Sequence, residues 1–209
     1  YLKKVSDRLS MCEFFSSESP GIVTSPVHYV DSKQQLRRVS QDADFKEGFY
    51  TPQKFFSKFY FEGSMVHGAT TFYSIAQLKE LGGFPTELTS YADTAVAVAL
   101  GCRSGMLRVS TPSANCEKHI NSFSVSASRD FEKSLQVGRL VGRWFRERAD
   151  YTRMRDTQIK DIQIQYYFTS LKYWIDAREV EYRAVVEEIF SLKSKRSGYV
   201  RFLTLIFRA

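Results

Sequence analysis

Between Met65 and Gly101 the chain is punctuated so closely that few local architectures fit it. Met65-Val-His-Gly-Ala-Thr-Thr-Phe-Tyr73 reads as a strand running through a patch of small residues. Ser74 stands where a helix N-cap belongs, its hydroxyl placed to take an amide proton that the first turn leaves unpaired. Ile75-Ala-Gln-Leu-Lys-Glu-Leu81 follows with helical spacing, and Gly82-Gly83 ends it, because glycine enters the left-handed region without a Cβ penalty. Phe84-Pro85 and a polar loop lead to Asp93, a second N-cap, ahead of the almost wholly apolar Thr94–Leu100, which Gly101 stops. A helix apolar on all sides has to be buried. The alternation in that run could also pass for a strand, while helix, turn and buried strand over Tyr1–Val30 suit a parallel sheet in an α/β domain.

The flanks extend that reading. Leu2, Val5, Leu9 and Cys12 carry helical spacing from Tyr1 to Ser17, until Ser19-Pro20-Gly21 breaks it. Ile22–Ser25 and Val27–Val30 form a short apolar run of the kind buried in a parallel sheet. Residues 31–52 are polar and predict a surface excursion, while Phe55, Phe56, Phe59, Tyr60 and Phe61 predict a short helix over the core. Met106–Val109 and the stretch to His119 suit edge strands. From Ser126 onward helical spacing takes over, in Val137, Leu140, Val141, Trp144 and Phe145, then Ile164, Phe168, Leu171 and Ile175, then Tyr182, Val185, Val186, Ile189 and Phe190. Two regions are therefore expected, 1–125 with a mixed sheet and flanking helices, and 126–209 as an α-helical appendage. With 43% hydrophobic residues in 209, there is enough apolar material for one sizeable core with such an appendage.

Charge and cysteines narrow the classes. Residues 126–209 hold 17 Lys and Arg against 11 Asp and Glu, leaving +6 of the net +7, so the first region is nearly neutral. A basic second region invites an anionic partner, an anionic membrane face or nucleic acid among them. Arg139, Arg143, Trp144, Arg146 and Arg148 on one helix carry the nucleic-acid alternative; the interleaved acids and the lack of a recognised binding motif disfavour it. Three cysteines at scattered spacing make no disulfide framework and favour a reducing, cytoplasmic setting, and Cys102, Cys116 and His119 lack the paired spacing of a zinc site. No stretch approaches the roughly 20 apolar residues of a membrane span.

Three segments, in order, resemble family 2 glycosyltransferases of the GT-A fold. They are Tyr1-Leu-Lys-Lys-Val-Ser-Asp-Arg-Leu through Pro20-Gly-Ile-Val-Thr-Ser, then Ala69-Thr-Thr-Phe-Tyr-Ser-Ile-Ala-Gln-Leu-Lys-Glu-Leu-Gly-Gly-Phe84 with Asp93 nine residues on, and His119-Ile-Asn-Ser-Phe-Ser-Val-Ser. The resemblance covers residues 1–125 and implies a partial GT-A-like sheet and inverting transfer of a sugar from a nucleotide-diphospho-sugar donor to a saccharide or lipid-linked acceptor hydroxyl, in cell-envelope polysaccharide synthesis. It implies Asp93 as the catalytic base, Gly82, Gly83 and Phe84 at the acceptor, His67 and Gly68 on the donor side, and His119 as a metal ligand. Mg or Mn would neutralise the departing diphosphate, its ligands lying mostly outside this chain. Asp93 as a plain helix cap and His119 as an ordinary surface or core histidine remain the structural alternatives.

The sequence also departs from the family pattern. Ala92 stands where the family has a Glu before the catalytic Asp, and Asp42-Ala-Asp44 lies in the polar excursion, away from the place of the metal motif. Gln136-Val-Gly-Arg139-Leu140 and Leu140-Val-Gly-Arg143-Trp144 each miss one residue of the processive Gln-x-x-Arg-Trp signature, so a non-processive enzyme is expected. The start at Tyr1 is expected to leave out the nucleotide-binding half, so that this polypeptide alone binds donor poorly and is inactive; a non-catalytic glycosyltransferase remnant is a further alternative. The basic, aromatic C-terminus raises a peripheral place at the inner membrane face.

Overall fold

The structure, a computed structural model, describes residues 19–31, 33, 35–39, 46–62, 66–117 and 130–177. The helix expected over Tyr1–Ser17, Asp42–Asp44, His119 with the Ser-rich segment after it, and everything from Arg178 on lie outside the described residues. The chain divides into two units, Tyr1–Ile120 with Asp150–Arg153, and Asn121–Ala149 with Met154–Ala209.

The first unit is mixed α/β. Its larger sheet holds β1 (Ile22–Thr24), β4 (Gly48–Tyr50), β5 (Phe72–Tyr73) and β6 (Met106–Arg108), in the order β4-β6-β1-β5. β1 and β6 run parallel, and the outer strands are antiparallel to them. All three residues of β1 and of β6 are buried, as in strands covered on both faces. A second sheet has the order β3-β2-β7, with β2 (Val27–Val30) parallel to β7 (Ala114–Glu117) and antiparallel to β3 (Leu36–Val39). Only Ser25-Pro26 separates β1 from β2, and that joint, where one sheet gives way to the other, underlies the candidate site.

Among the described residues, this unit also holds the helices α1 (Pro52–Glu62), α2 (Ile75–Leu81) and α3 (Ala92–Ser104). α3 is the apolar helix expected from the sequence, with Ala95 to Cys102 buried and Ala95 through Leu100 at 0% exposure. Burying a Val or Leu contributes about 1.5–3 kcal/mol relative to leaving it exposed, so this one helix supplies much of the core. Gly101 does not stop it. A Cβ there would collide with the Phe55 ring of α1, so the glycine serves close packing, and the chain turns out of helix at Gly105, at φ +80°.

Other expectations are corrected. The polar excursion contains β3 and β4, and Met106–Arg108 is an interior strand paired on both sides. Of the strand expected over Met65–Tyr73, the described residues from Val66 on hold strand at Phe72–Tyr73 alone; before it, Gly68–Thr70 make a 3-10 turn capped by His67. Runs of three or four residues carry too few side chains to announce themselves, and their pairing partners decide their state.

The second unit is helical where described. α4 (Phe131–Glu147) starts at Asp130, whose carboxylate accepts from the Lys133 amide at 3.0 Å. It packs on α6 (Asp156–Ala177), while the short α5 (Ala149–Thr152) lies between them in sequence. Gly138 and Gly142 leave room for Tyr167 and Gln163 of α6, places where any Cβ would collide. The two near-matches to Gln-x-x-Arg-Trp therefore hold helix-packing glycines, and Trp144 is 3% exposed. No helix among the described residues is long and apolar enough to cross a membrane.

Candidate functional site

The site grows from the loss of regular pairing between the two sheets. Thr70, at 1% exposure, donates its hydroxyl to the Ser25 carbonyl at 2.6 Å and so fastens the His67–Thr71 turn to the joint. The Thr70 amide and the Thr71 hydroxyl both donate to the His67 carbonyl, each at 2.9 Å. His67 Nδ1 accepts from the Ala69 amide at 3.3 Å, so a neutral imidazole carries its proton on Nε2. The His67 ring also stands edge-on to Tyr29 of β2, at 6.2 Å between centroids.

Gly68 and Ala69 leave this turn exposed, and Asp93 meets it there. A Cβ on Gly68 would run into the Asp93 Oδ2, so the carboxylate rests on the bare Cα. Its other oxygen, Oδ1, accepts from the Thr94 amide at 2.7 Å. Asp93 is not the helix cap expected from the sequence: α3 begins one residue earlier, at Ala92, behind Tyr91, and Asp93 lies inside the first turn. A carboxylate is favourably placed there by the helix dipole.

α2 furnishes the other wall. Ser74 caps it, with its amide on the Gly21 carbonyl at 3.0 Å and its hydroxyl 3.5 Å from the Gln77 amide. Gly82 and Gly83 end it at φ +92° and +83°, and the Gly82 and Gly83 amides donate to Lys79 and Leu78 carbonyls. That turn delivers Phe84, 45% exposed, edge-on to Tyr73 at 5.3 Å. The Tyr73 hydroxyl in turn donates to the Asp93 carbonyl at 3.4 Å. Burial, and after it the Asp93 charge, raise the Tyr73 phenol far above its ordinary pKa, so it stays a donor.

One contiguous strip thus runs Tyr29, His67, Gly68, Asp93, Tyr73, Phe84. The structure brings His67, Gly68, Asp93 and Phe84 into it, and Gly82 and Gly83 act at one remove by setting the Phe84 turn. Sequence reasoning passed over Tyr29 and Tyr73, whose only signal was aromatic character. It also passed over Thr89, at φ +49° and ψ −121° in the 3-10 segment Thr86–Tyr91 just before Asp93. A β-branched residue there is strained by about 1–3 kcal/mol, and such strain gathers near functional residues. Among the described residues no group of three or more His, Cys, Asp or Glu is placed to hold a metal ion. Of the described cysteines, Cys102 is buried in α3, its thiol pKa pushed up by burial, and Cys116 on β7 is half-buried and free. Comparison of the chain with protein-family models, with curated proteins and with solved structures gives no match.

Proposed function

We propose that the first unit is the acceptor-side part of a GT-A-like, inverting family 2 glycosyltransferase. The observation that carries the reading is the Asp93 carboxylate seated on Gly68 between two aromatic pairs, Tyr29 with His67 and Tyr73 with Phe84. Pyranose rings offer C–H faces that stack on aromatic side chains and hydroxyls that donate to carboxylates. Asp93 would accept the proton of the attacking acceptor hydroxyl as the new glycosidic bond forms and the nucleoside diphosphate departs. Phe84 and Tyr73 would hold the acceptor ring, and holding it in line lowers the barrier by limiting lost motion. Mg or Mn would supply charge neutralisation at the diphosphate, and the resemblance assigns its ligands mostly to residues outside this chain, with His119 beside them.

Saturation-transfer NMR on the full chain, with a panel of neutral disaccharides and longer oligosaccharides, tests this. Saturation of sugar C–H protons is expected, lost in Phe84→Ala and reduced in Asp93→Asn. No saturation at millimolar sugar, or saturation indifferent to both substitutions, would sink the reading.

A second reading, an anionic-surface- or nucleic-acid-binding helical module, draws on α4. Lys133, Arg139, Arg143 and Arg146 are exposed there while Val137, Val141 and Phe145 are buried. Binding of a short oligonucleotide or of anionic vesicles that weakens steeply with salt would favour it.

A further inference from the structure

Asp150–Arg153 clusters with the first unit although its neighbours on both sides, Ala149 and Met154, belong to the second. Tyr151 makes three contacts there. Its hydroxyl donates to the Gln77 carbonyl in the middle of α2 at 3.0 Å. Its own carbonyl accepts from Arg103 Nη1 at 3.2 Å, and the Arg103 guanidinium lies over its ring, 5.0 Å from the centroid. Arg103 stands in the last turn of α3, and Thr152 beside Tyr151 is 1% exposed. This strap therefore ties α2 to the C-terminal end of α3, while Tyr73 and Asp93 meet at the N-terminal ends of the same two helices.

Apart from this strap, α2 is held by the Ser74 cap, the Gly82-Gly83 turn and the packing of Leu81. Only Leu81 of its seven residues is buried, and Ile75 is 64% exposed. The strap also bears opposing costs. Arg153 takes φ +56°, a left-handed conformation unfavourable to a side chain bearing a Cβ. Gln77, whose backbone carbonyl receives the Tyr151 hydroxyl, has a side-chain Oε1 shielded from water and without a hydrogen-bond partner among the described residues. A short segment held by the Tyr151 contacts and the burial of Thr152, against strain at Arg153, is poised to open locally, below the free energy of global unfolding.

We infer that Tyr151 is a positioning residue: engaged, the strap fixes α2 and with it Phe84 against Tyr73 beside Asp93, and released, it frees α2 and Phe84 while Tyr73, paired in β5, and α3 stay in place. Strap release thereby regulates the width of the candidate site from a segment that the second unit's chain enters and leaves. The inference goes beyond the glycosyltransferase reading and does not depend on it, since it concerns where α2 sits.

The test uses the full chain in two variants, Tyr151→Phe, which removes only the hydroxyl, and Arg103→Gln, which removes the grip on the strap carbonyl and ring. Hydrogen exchange over residues 74–84 is expected to quicken several-fold, up to about tenfold, in each, with residues 95–102 unchanged. Arg103→Lys, which keeps a cation over the ring, is expected to retain most of the protection. As a reporter at the site, 4-fluorophenylalanine at position 84 should shift its 19F line toward the free value in Tyr151→Phe, which a merely structural tyrosine would not cause. Unchanged exchange over 74–84 in both variants, equal quickening over 95–102, or an unmoved 19F line overturns the proposal. Those outcomes leave saccharide binding as it was, and loss of saccharide binding in Asp93→Asn or Phe84→Ala leaves the strap as it was, so the two readings fail separately.

Discussion

α2 and α3 both border the candidate site, yet they are held in opposite ways. α3 is enclosed, its side chains from Ala95 to Cys102 buried against the sheet and α1. α2 touches the core through Leu81 and is otherwise kept by a cap, a glycine turn and the Tyr151 hydroxyl. The difference gives the site one fixed wall and one adjustable wall. Asp93 and the strand-paired Tyr73 belong to the fixed one, which suits the proposed role of Asp93 as a base, and Phe84 belongs to the adjustable one, which suits a side chain that closes on a ligand.

The contrast breaks most readily at α3. Leu100 is 0% exposed and its backbone carbonyl lies against Gly21 at the start of β1. Leu100→Ala should cost about 2–5 kcal/mol, read as a fall in the urea midpoint of the first unit. The same truncation at Ile75 of α2 should cost under about 0.5 kcal/mol, since a surface substitution loses little packing. Similar losses at the two positions would erase the distinction between the walls.

Gly68→Ala probes the seat of the carboxylate. The new methyl would overlap Asp93 Oδ2, so either the turn or the side chain has to move. The obstructing atom is the far end of the Asp93 side chain, which can turn aside, so the cost to stability should stay within about 1 kcal/mol. The sharper readout is the Asp93 carboxyl carbon resonance, expected to shift in Gly68→Ala, along with loss of any saccharide saturation. A chemical shift identical to that of the unaltered chain would show that Asp93 does not rest on Gly68.

These two positions also show what the sequence could and could not disclose. The burial of Ala95–Leu100 was legible because an unbroken apolar run has no other stable place, and the Gly82 turn was legible from its position after a capped, periodic helix. Gly101 looked the same in sequence as Gly82 but serves the Phe55 ring, because glycine answers both to a positive φ and to close approach, and only the fold separates the two uses. His67 and Gly68 were picked out, yet as strand residues. Their turn exists because Thr70 finds the Ser25 carbonyl, a contact 45 residues away in sequence. β4 was missed for the same reason, a three-residue strand made by the distant β6, whereas β3 pairs with its near neighbour β2 and was hidden by the shortness and polarity of its own run. Thr89 gave no sign, since a threonine is among the last residues expected at its φ and ψ.

Thr89→Gly follows from that strain and moves stability the other way. φ +49° with ψ −121° is the geometry that the first central residue of a type II′ turn demands, which glycine adopts freely. Relief of about 1–3 kcal/mol, less about 0.5–1 kcal/mol of added unfolded-state entropy, should leave the variant about 1 kcal/mol more stable. A raised melting temperature with weaker saccharide saturation would indicate strain maintained for the site; a raised temperature with unchanged binding would make it incidental.

The smallest expected effect lies in the second unit, where α6 begins on surface charge rather than burial. Asp156 takes Lys160 at 2.8 Å and Arg146 at 3.3 Å, and its side chain is 56% exposed. The Lys160 hydrogen bond above all, opposed next by burial and then aided by Arg146, holds its carboxyl below the ordinary carboxylate range. A depressed carboxylate pKa adds stability that is fully present above the unfolded-state value and lost as the pH falls through the folded one. Exposed pairs of this kind contribute under about 1 kcal/mol, and salt screens them. Between pH 7 and pH 3 the unaltered chain should therefore lose slightly more stability than Asp156→Asn, and the gap should close in 0.5 M salt. A gap that survives the salt would mean the start of α6 is held by burial, as α3 is, and not by exposed charge.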